Sequence, residues 1–443
     1  MEIITYQDGC LNKYLKSKES SSKKVTSVVQ EIIEDIKTSG DESLRDYTNK
    51  FDKILLETFK ITDEERRLAL KQTDDDFVNV LKKAIQNIQA FHKNQRPDAF
   101  EYKTHKNSII GQKVTPIERA ALYIPGGKAA YPSSVLMNVI PAQIAGVKEI
   151  VIVSPPNSKG AIDASVLVAA DLLGIEEIYK IGGAQAIAAL AYGTDTIKKV
   201  DKIVGPGNQY VTEAKRQVFG QVAIDMIAGP SEILIIADEN ANPKYIARDL
   251  LSQSEHDEKA IPYLVTTSNE IIDKTKEYLV KFINDSKRKE ILKKSIDNNL
   301  LIVKTESLKE MIKVSNILAP EHLELLINQP MRILDDIKNA GSIFLGEYSP
   351  EPVGDYWAGP NHTLPTSQTA RFSSPLGVYD FIKRSSYIQY SKEEFKENAL
   401  FIEKFAEKEQ LWEHANSIKE RRLWVVFDWM QMKIHTIQLI KKI

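Results

Sequence analysis

The sequence predicts an α/β protein in which two parallel-sheet units lie between helical N- and C-terminal segments. Short apolar runs such as Glu149–Ser154 alternate with segments of helical periodicity, which is typical of strands buried on both faces. The alternation stops near Gly229 and then resumes, so we expect two such units. A length of 443 residues, with 42% hydrophobic and 27% charged residues, suits a globular protein of more than one domain.

The composition argues against several classes of protein. The formal net charge of -2 provides no general attraction for nucleic acid or an anionic membrane. Cys10 is the single cysteine, which excludes a disulfide framework or a multi-thiolate metal site within one chain and offers a poor catalytic thiol. The N-terminus lacks the pattern of a secretory signal, and no apolar run reaches the roughly 18 residues of a membrane span. We therefore expect a cytoplasmic protein whose partners are neither nucleic acid nor membrane.

Residues 1 to about 100 are predicted to be mainly helical. Residues 1–22 form an N-terminal arm, and helical periodicity follows it. Thr62 and Glu65 have the spacing of a capping box, in which each side chain accepts a hydrogen bond from the other residue's backbone amide. The predicted helices are Val25–Lys37, Asp41–Phe51, Thr62–Gln72 and Asp74 to about His92.

From Val114 onward the sequence alternates between strand and helix patterns. The first predicted sheet contains strands 149–154, 178–181 and 202–204, with helices 133–146, 161–173, 184–192 and 208–219. The second predicted sheet contains strands 233–237, 261–266, 300–304 and 341–345, with helices 243–256, 269–283 and 306–317. Pro320 is expected to open one more helix, with Glu321 and His322 exposed in its first turn.

The predicted domains follow from these patterns. After the N-terminal arm, residues 23–122 and 232–376 form one sheet domain with its helical layer. Residues 123–231 form the other sheet domain. Beyond about Leu376 the chain becomes helical again, so residues 377–443 form a C-terminal helical segment that ends in an apolar tail.

Three glycine-rich turns lie where strands should end and helices begin: 124–127 (IPGG), 181–185 (IGGAQ) and 204–208 (VGPGN). At the carboxyl ends of parallel strands, glycine lets the backbone approach a phosphate, and a helix N-terminus favours negative charge. None of the turns is the standard dinucleotide fingerprint, since Tyr210 stands where the last glycine of the third would be. Each turn alone is equally well explained as a tight connection. Together with the side-chain amides of Gln185 and Asn208, they favour a nucleotide held in an atypical way.

The helix that ends near His256 carries a second candidate site. Asn242 is a good N-cap, and Pro243 suits the first helical position. Gln253 falls on the apolar, inward face and therefore needs a polar partner. His256 follows three residues later, and an amide oxygen beside an imidazole is half of a metal site. A satisfied core glutamine next to a surface histidine is the more common explanation of such a pair.

Other histidines and acids extend this constellation. His362 follows Asp355 in a Gly/Pro-rich loop, and His414 lies on a late helix. Glu321 and His322 are candidates for a general base and a proton relay. Nitrogen and oxygen ligands that suit a catalytic or substrate-positioning zinc ion are available from Gln253, His256, Asp355 and His414.

Six motifs stand out along the chain: 182–190 (GGAQAIAAL), 205–215 (GPGNQYVTEAK), 229–232 (GPSE), 251–256 (LSQSEH), 319–323 (APEHL) and 359–366 (GPNHTLPT). Together they resemble the motifs of the histidinol dehydrogenase family. The similarity covers roughly residues 25 to 420.

The resemblance implies both a fold and a reaction. The implied fold is a homodimer of chains with two incomplete Rossmann-like domains and small terminal domains, in which the C-terminal segment crosses to the other subunit. The implied reaction is the oxidation of L-histidinol to L-histidine through histidinal, with two NAD and a zinc ion, as the last step of histidine synthesis.

The resemblance also implies roles for individual residues. His322 would take protons in the oxidation steps, and Glu321 would activate the water that hydrates the aldehyde. The implied zinc ligands are Gln253, His256, Asp355 and His414. The implied NAD contacts are Tyr123, Gln185 and Asn208. The implied substrate contacts are Ser231, His362 and Glu409, together with His322 and the zinc ligands.

Two features depart from the family pattern. Gln410 follows Glu409 where the family usually has glycine, and Trp412 follows, which concerns the helix geometry near His414. The chain also continues beyond the usual family end with the apolar tail Trp424–Ile443. This tail is either an added helix at the dimer or an altered end, and its lack of a clear helical stripe favours the altered end.

Two other functions compete with this interpretation. One is a zinc hydrolase in which Glu321 activates water without NAD, and the glycine-rich turns argue against it. The other is a zinc-stabilised homologue that has lost turnover, and the presence of Glu321, His322 and His362 argues against it.

Overall fold

Two sheets of this protein consist entirely of parallel strand pairs, as the alternating sequence pattern predicts. The computed structural model describes residues 1–15, 23–126 and 130–423, so the tail from Trp424 onward lies outside the described residues. The strands are β1 (Glu2–Thr5), β2 (Phe100–Lys103), β3 (Ile109–Pro116), β4 (Arg119–Tyr123), β5 (Glu149–Val153), β6 (Glu177–Tyr179), β7 (Lys202–Val204), β8 (Ala223–Ile224), β9 (Glu232–Ala237), β10 (Ile261–Thr266), β11 (Leu301–Lys304), β12 (His322–Leu326), β13 (Ser342–Leu345) and β14 (Ile382–Gln389).

The helices lie before, between and after these strands. They are α1 (Asn12–Leu15), α2 (Lys23–Asp52), α3 (Asp63–Gln72), α4 (Asp75–Lys93), α5 (Pro132–Ala145), α6 (Ala164–Leu172), α7 (Gly183–Tyr192), α8 (Gln209–Val218), α9 (Pro243–Ser254), α10 (Asn269–Asp285), α11 (Lys289–Asn299), α12 (Leu308–Leu318), α13 (Glu351–Val353) and α14 (Lys392–Lys408). A π-helix spans Gly354–Ala358, and residues 412–423 are helical. Gly40, with φ 48, interrupts α2 between the two helices predicted there. Among the described residues, no helix combines the length and the apolar character needed to span a membrane.

Two compact units divide the chain. The first contains Met1–Arg96 and Pro116–Phe381 and holds both parallel sheets. The second contains Pro97–Thr115 and the described residues from Ile382 onward. Its strands β14, β3 and β2 form a small sheet in that order. The C-terminal segment is predicted to be helical, and β14 shows that part of it is a strand instead.

The larger sheet has the strand order β1-β11-β10-β9-β12-β13 and is covered on both faces. Ile233 and Ile235 of β9 pack with α9, α10 and α11, whereas Leu234 and Ile236 pack on the face that carries α12. This alternation explains why the strand reads as a continuous apolar run. The N-terminal arm contributes β1 as an edge strand parallel to β11.

The smaller sheet has the strand order β6-β5-β4-β7-β8. Its core includes Val29 and Ile36 of α2 together with Ala121 of β4 and Ile187 of α7. Residues 23–52 therefore pack with this sheet, and not with the 232–376 part of the chain to which the sequence assigned them. The sheet also begins before residue 123, because β4 is one of its central strands.

The predicted helix after Pro320 is wrong. α12 ends at Leu318, and Ala319 closes it in the left-handed conformation with φ 47. Proline is common just after a helix end as well as at the first position of a helix, and here it follows an end. Glu321 and His322 instead lead into β12, between β9 and β13, and both are buried rather than exposed.

The end of α14 shows how the chain accommodates Gln410 in place of the expected glycine. Gln410 has φ 62, in the left-handed region that glycine adopts at little cost. The amides of Gln410 and Leu411 donate to the carbonyls of Glu407 at 2.9 Å and Ala406 at 3.0 Å, which is the pattern of a Schellman motif. The turn before His414 therefore keeps the geometry of a glycine turn, with strain at Gln410.

Gln410→Gly is expected to stabilise the protein. We expect the free energy of unfolding to rise by about 0.5–1 kcal/mol, because relief of left-handed strain exceeds the extra freedom of glycine in the unfolded chain. Urea denaturation measures the difference. Gln410→Ala retains the β-carbon and serves as the matched control, and equal stability of the Gly and Ala variants would contradict the strain.

Candidate active site

A buried cluster of acids and histidines lies at the amino-terminal edge of β9 and β12. These strands are parallel neighbours, and each begins with a member of the cluster, Glu232 in β9 and His322 in β12. Glu321 directly precedes β12. Because α9 runs back from the carboxyl end of β9, Gln253 near its end and His256 just beyond it reach the same edge.

Backbone groups of Glu232 orient the acid–histidine pair. Glu321 Oε2 accepts from the Glu232 amide at 2.8 Å, and His322 Nδ1 lies 3.0 Å from the Glu232 carbonyl oxygen. A carbonyl oxygen only accepts, so Nδ1 carries the hydrogen in this contact and Nε2 is the nitrogen that can exchange a proton. Nε2 faces Asp355, whose Oδ1 is 3.7 Å away.

The predicted metal ligands of the first unit lie in or beside this cluster. Ring nitrogen of His256 and carboxylate oxygens of Asp355 and Glu351 lie within 4.8 Å of one another. Gln253 is 2% exposed, and its Nε2 donates to Glu321 Oε2 at 3.4 Å. Asp355 is presented by the π-helix, a rare element that is frequent at functional sites.

The donors fit a divalent cation such as zinc. Gln253 Oε1 is buried without a hydrogen-bond partner among the described residues, which costs free energy unless a ligand pairs with it. Burial lowers the pKa of His256, so its imidazole is neutral near pH 7, the form that binds metal. Amide oxygen, neutral imidazole and carboxylate oxygen are all donors that bind zinc. Burying them without a cation or another partner is unfavourable.

Glu351 is a site residue that the sequence analysis missed. It is 2% exposed, and its Oε2 accepts from Ser252 Oγ at 2.7 Å. Its backbone amide donates to Glu324 Oε1 at 2.8 Å. The signal that could have found it is its position four residues before Asp355, which places the two carboxyl groups on one side of a helical turn.

Crowding changes the acid strengths in the cluster. Burial raises the pKa of Glu321 to about 8, and burial together with Asp355 raises that of Glu351 to about 8. Burial lowers the pKa of His322, but Glu321 and Asp355 outweigh it and raise the pKa to about 10. Burial would raise the pKa of Asp355, yet the facing His322 and His362 hold it below its usual range. Such a concentration of buried acids favours uptake of protons or of a metal cation.

Ser231 and His362 are the predicted substrate contacts of the first unit. Ser231 is half-buried immediately before Glu232, and its carbonyl accepts from the Ile261 amide at 2.9 Å. His362 is close to Asp355 and has its Nε2 3.4 Å from Ser134 Oγ. Burial lowers the pKa of His362, so this imidazole is neutral as well.

The glycine-rich turns belong to the smaller sheet and lie at the carboxyl ends of its strands. Tyr123 ends β4, and its buried hydroxyl accepts from the Gly183 amide at 3.1 Å, next to the end of β6. Burial raises the pKa of Tyr123 to about 12. Gly205 follows β7 with φ 110, where a β-carbon would collide with the Tyr123 carbonyl oxygen. The first turn is described only as far as Gly126.

The two predicted amide contacts at these turns have different surroundings. Gln185 is buried on α7, and its Oε1 has no partner among the residues that the structure describes. Asn208 is exposed and caps α8, since its Oδ1 accepts from the amides of Tyr210 at 2.9 Å and Val211 at 3.2 Å. The cap alone explains why an asparagine stands at 208, whereas Gln185 still has an acceptor to satisfy.

Glu409 and His414 belong to the second unit. Both are exposed, and both line a groove of about 770 Å³ together with Phe401 and Phe405. That Glu409 and His414 join one site with Gln253, His256 and Asp355 stays a prediction.

The fold and the cluster together define an α/β enzyme with a buried acid–histidine site. The histidinol dehydrogenase family model matches residues 15–422 of the chain. The chain belongs to this family, and it is therefore an oxidoreductase.

Individual proteins show the same relationship over nearly the whole chain. Histidinol dehydrogenase of Clostridium acetobutylicum is 50% identical over 425 residues, which cover 95% of this chain and 99% of that protein. That of Bacillus subtilis is 51% identical and covers 96% of this chain and 100% of its own. The crystal structure of histidinol dehydrogenase from Elizabethkingia anophelis matches with a TM-score of 0.90 and 38% identity, covering 95% of this chain and 97% of that one.

Proposed function

We propose that this protein oxidises L-histidinol to L-histidine through histidinal, with two NAD as hydride acceptors and a bound zinc ion, as the last step of histidine biosynthesis. Membership of the family supports histidinol oxidation. The observation that carries the chemistry is the buried pair Glu321–His322, oriented by β9 beside the donors Gln253, His256 and Asp355.

The reaction requires one carbon to lose two hydrides. In the first oxidation the alcohol loses a hydride from carbon and a proton from oxygen, which gives the aldehyde. Water then adds to the aldehyde, and the resulting gem-diol loses a second hydride and a proton to give the carboxylic acid, which ionises. Three protons leave for each histidinol consumed, so the site needs a proton acceptor that acts repeatedly and a group that activates water.

His322 is the proton acceptor in this proposal. Its Nδ1 is held by the Glu232 carbonyl, which leaves Nε2 to accept the hydroxyl proton in each oxidation step. The ring must be neutral to do so, and a cation held beside it by Asp355 would offset the negative charge of the carboxylates that raise its pKa. Glu321 activates the water for aldehyde hydration, since its raised pKa lets the carboxyl group accept and return a proton near neutral pH. Oxidation through a gem-diol needs no thiol, and Cys10 is instead packed beside core residues of the larger sheet.

Two bound groups complete the proposal. A zinc ion held by Gln253, His256, Asp355 and His414 would orient the amino and imidazole nitrogens of histidinol. NAD would bind at the glycine-rich turns through Tyr123, Gln185 and Asn208 and would supply the hydride acceptor. Ser231, His362 and Glu409 would contact the substrate, together with His322 and the zinc ligands.

The exposed face of the second unit supports a homodimer with shared sites. Phe401 and Phe405 are 71% and 70% exposed beside Glu409 and His414. Contiguous exposed apolar side chains of this kind mark interaction surfaces. In the proposed dimer, each subunit covers this face of its partner. The Glu409 and His414 side chains of one subunit then complete the active site of the other.

The reaction itself is tested by the yield of NADH from L-histidinol. We expect two NADH for each histidinol, with loss of activity in the presence of a zinc chelator and recovery on addition of Zn²⁺. A zinc hydrolase would form no NADH from any substrate. A folded, zinc-loaded protein that forms no NADH from histidinol would contradict the proposal.

His322→Ala is expected to lower turnover by about 10²–10⁴-fold, because the variant lacks the proton acceptor. Zinc content, measured by metal analysis, should not change, since His322 is not among the proposed ligands. His105→Ala replaces an exposed histidine of the second unit and is the matched control. Wild-type turnover in His322→Ala would remove the role assigned to this residue.

Mixing two inactive variants tests the sharing of sites. His256→Ala and His414→Ala should each abolish zinc-dependent activity. In a mixed dimer, one site has both defects and the other has none. Random exchange of subunits should therefore restore about one quarter of wild-type activity. Absence of recovery, with exchange confirmed by differently tagged subunits, would contradict the crossing.

A further inference from the structure

We propose that Glu351 is a positioning residue that joins the end of α9 to the π-helix and thereby sets the spacing of the metal donors Gln253, His256 and Asp355. This inference rests on the proposed zinc-dependent function and assigns a role to a residue that the function has not yet used.

The side chain of Glu351 reaches α9. Ser252 Oγ lies 2.7 Å from Glu351 Oε2 and 2.8 Å from the Asp249 carbonyl oxygen of its own helix, so its hydroxyl is shared between these two acceptors. Ser252 is the residue immediately before Gln253. This hydrogen bond is at the last turn of α9, which ends at Ser254, where carbonyl groups lack partners within the helix and the backbone is easily displaced. A hydrogen bond at Ser252 therefore restricts the positions of Gln253 in the last turn and of His256 just beyond it.

The backbone of Glu351 is anchored to the strand that carries His322. Its amide donates to Glu324 Oε1 at 2.8 Å, and Glu324 is fully buried on β12. His322 and Glu324 are two residues apart, so their side chains point to the same face of the strand. Glu351 thus connects α9 with the strand of the acid–histidine pair.

The position of Glu351 along the chain also controls Asp355. Glu351 begins α13, which continues directly into the π-helix that presents Asp355 four residues later. Carboxylate oxygens of Glu351 and Asp355 and a ring nitrogen of His256 lie within 4.8 Å of one another. Gln253 and His256 lie at the end of α9 and Asp355 lies in the π-helix, and Glu351 hydrogen-bonds to the first segment and begins the second. Residues that orient metal ligands in this way typically change metal affinity by about 10–100-fold when removed.

A direct bond from Glu351 to the metal is the competing explanation, and the two differ in what they require. A direct ligand gains affinity from the carboxylate charge and does not depend on the Ser252 hydroxyl. A positioning residue needs an acceptor for the Ser252 hydroxyl and the same side-chain length, which glutamine retains. Glu351→Gln together with Ser252→Ala therefore separates the two explanations, since only the positioning role depends on the Ser252 hydroxyl.

The test is the Zn²⁺ affinity of the full-length protein, measured by competition with a chromophoric chelator, together with the visible spectrum of the Co²⁺-substituted protein. Glu351→Ala and Ser252→Ala should each weaken Zn²⁺ binding by about 10–100-fold. Glu351→Gln should restore the affinity and the Co²⁺ spectrum of the unaltered protein. Ser254→Ala is the matched control: Ser254 flanks Gln253 on the other side, but its hydroxyl donates to the Leu250 carbonyl of its own helix at 2.7 Å. Its affinity should match that of the unaltered protein.

Two results would overturn the assignment. Glu351→Gln binding Zn²⁺ as weakly as Glu351→Ala would show that the carboxylate itself is required. Unchanged affinity in Ser252→Ala would show that the hydrogen bond to α9 does not set the donor spacing, and this variant answers the question even if Glu351→Ala does not fold. Failure of the unaltered protein to bind Zn²⁺ is a different result, since it would overturn the proposed function together with the inference.

Discussion

The parallel pairing of β9 with β12 is the constraint on which the candidate site depends. Both backbone groups that orient Glu321 and His322 belong to Glu232, the first residue of β9. Side chains alternate along a strand, so a shift of the pairing by one residue would turn His322 to the opposite face of the sheet. The apolar residues of β9 and β12, which pack against helices on both faces, thus stabilise the geometry of the acid–histidine pair as well as the fold.

Burial gives the cluster its chemical properties and also lowers the stability of the folded protein. Glu321, Glu324, Glu351 and Asp355 are all largely removed from water within one region of the first unit. Burying several carboxyl groups is unfavourable unless protons, hydrogen bonds or a cation compensate them. The protein retains this arrangement because, in the proposed reaction, groups with displaced pKa values must exchange protons and hold a metal near neutral pH. A fold selected for stability alone would replace such residues with apolar ones.

The two parallel sheets present different edges to the proposed chemistry. The smaller sheet offers its carboxyl edge, where Tyr123, Gly183 and Gly205 form close-packed turns that suit a nucleotide. The larger sheet offers its amino edge, where the acids and histidines gather between β9, β12 and the end of α9. A general rule for ligand sites in open sheets would have found the first edge and not the second.

Local patterns in the sequence were sufficient for the α/β class, for most helix and strand positions, and for details such as the Thr62–Glu65 capping box, the Asn242 cap and the buried orientation of Gln253. These features depend on residues within about one helical turn of one another, so the sequence contains their physical cause directly. Residue type and motif also singled out Gln253, His256, Glu321, His322 and Asp355 as candidates, and the structure places these five close together. Contacts between distant segments decided the rest. His322 begins a strand instead of a helix because Glu321 and His322 meet Glu232, 89 and 90 residues away. Glu351 joins the site through Glu324 and Ser252, 27 and 99 residues away. No local pattern contains such pairings, because burial against a distant strand can outweigh the preference of a short segment for helix or strand.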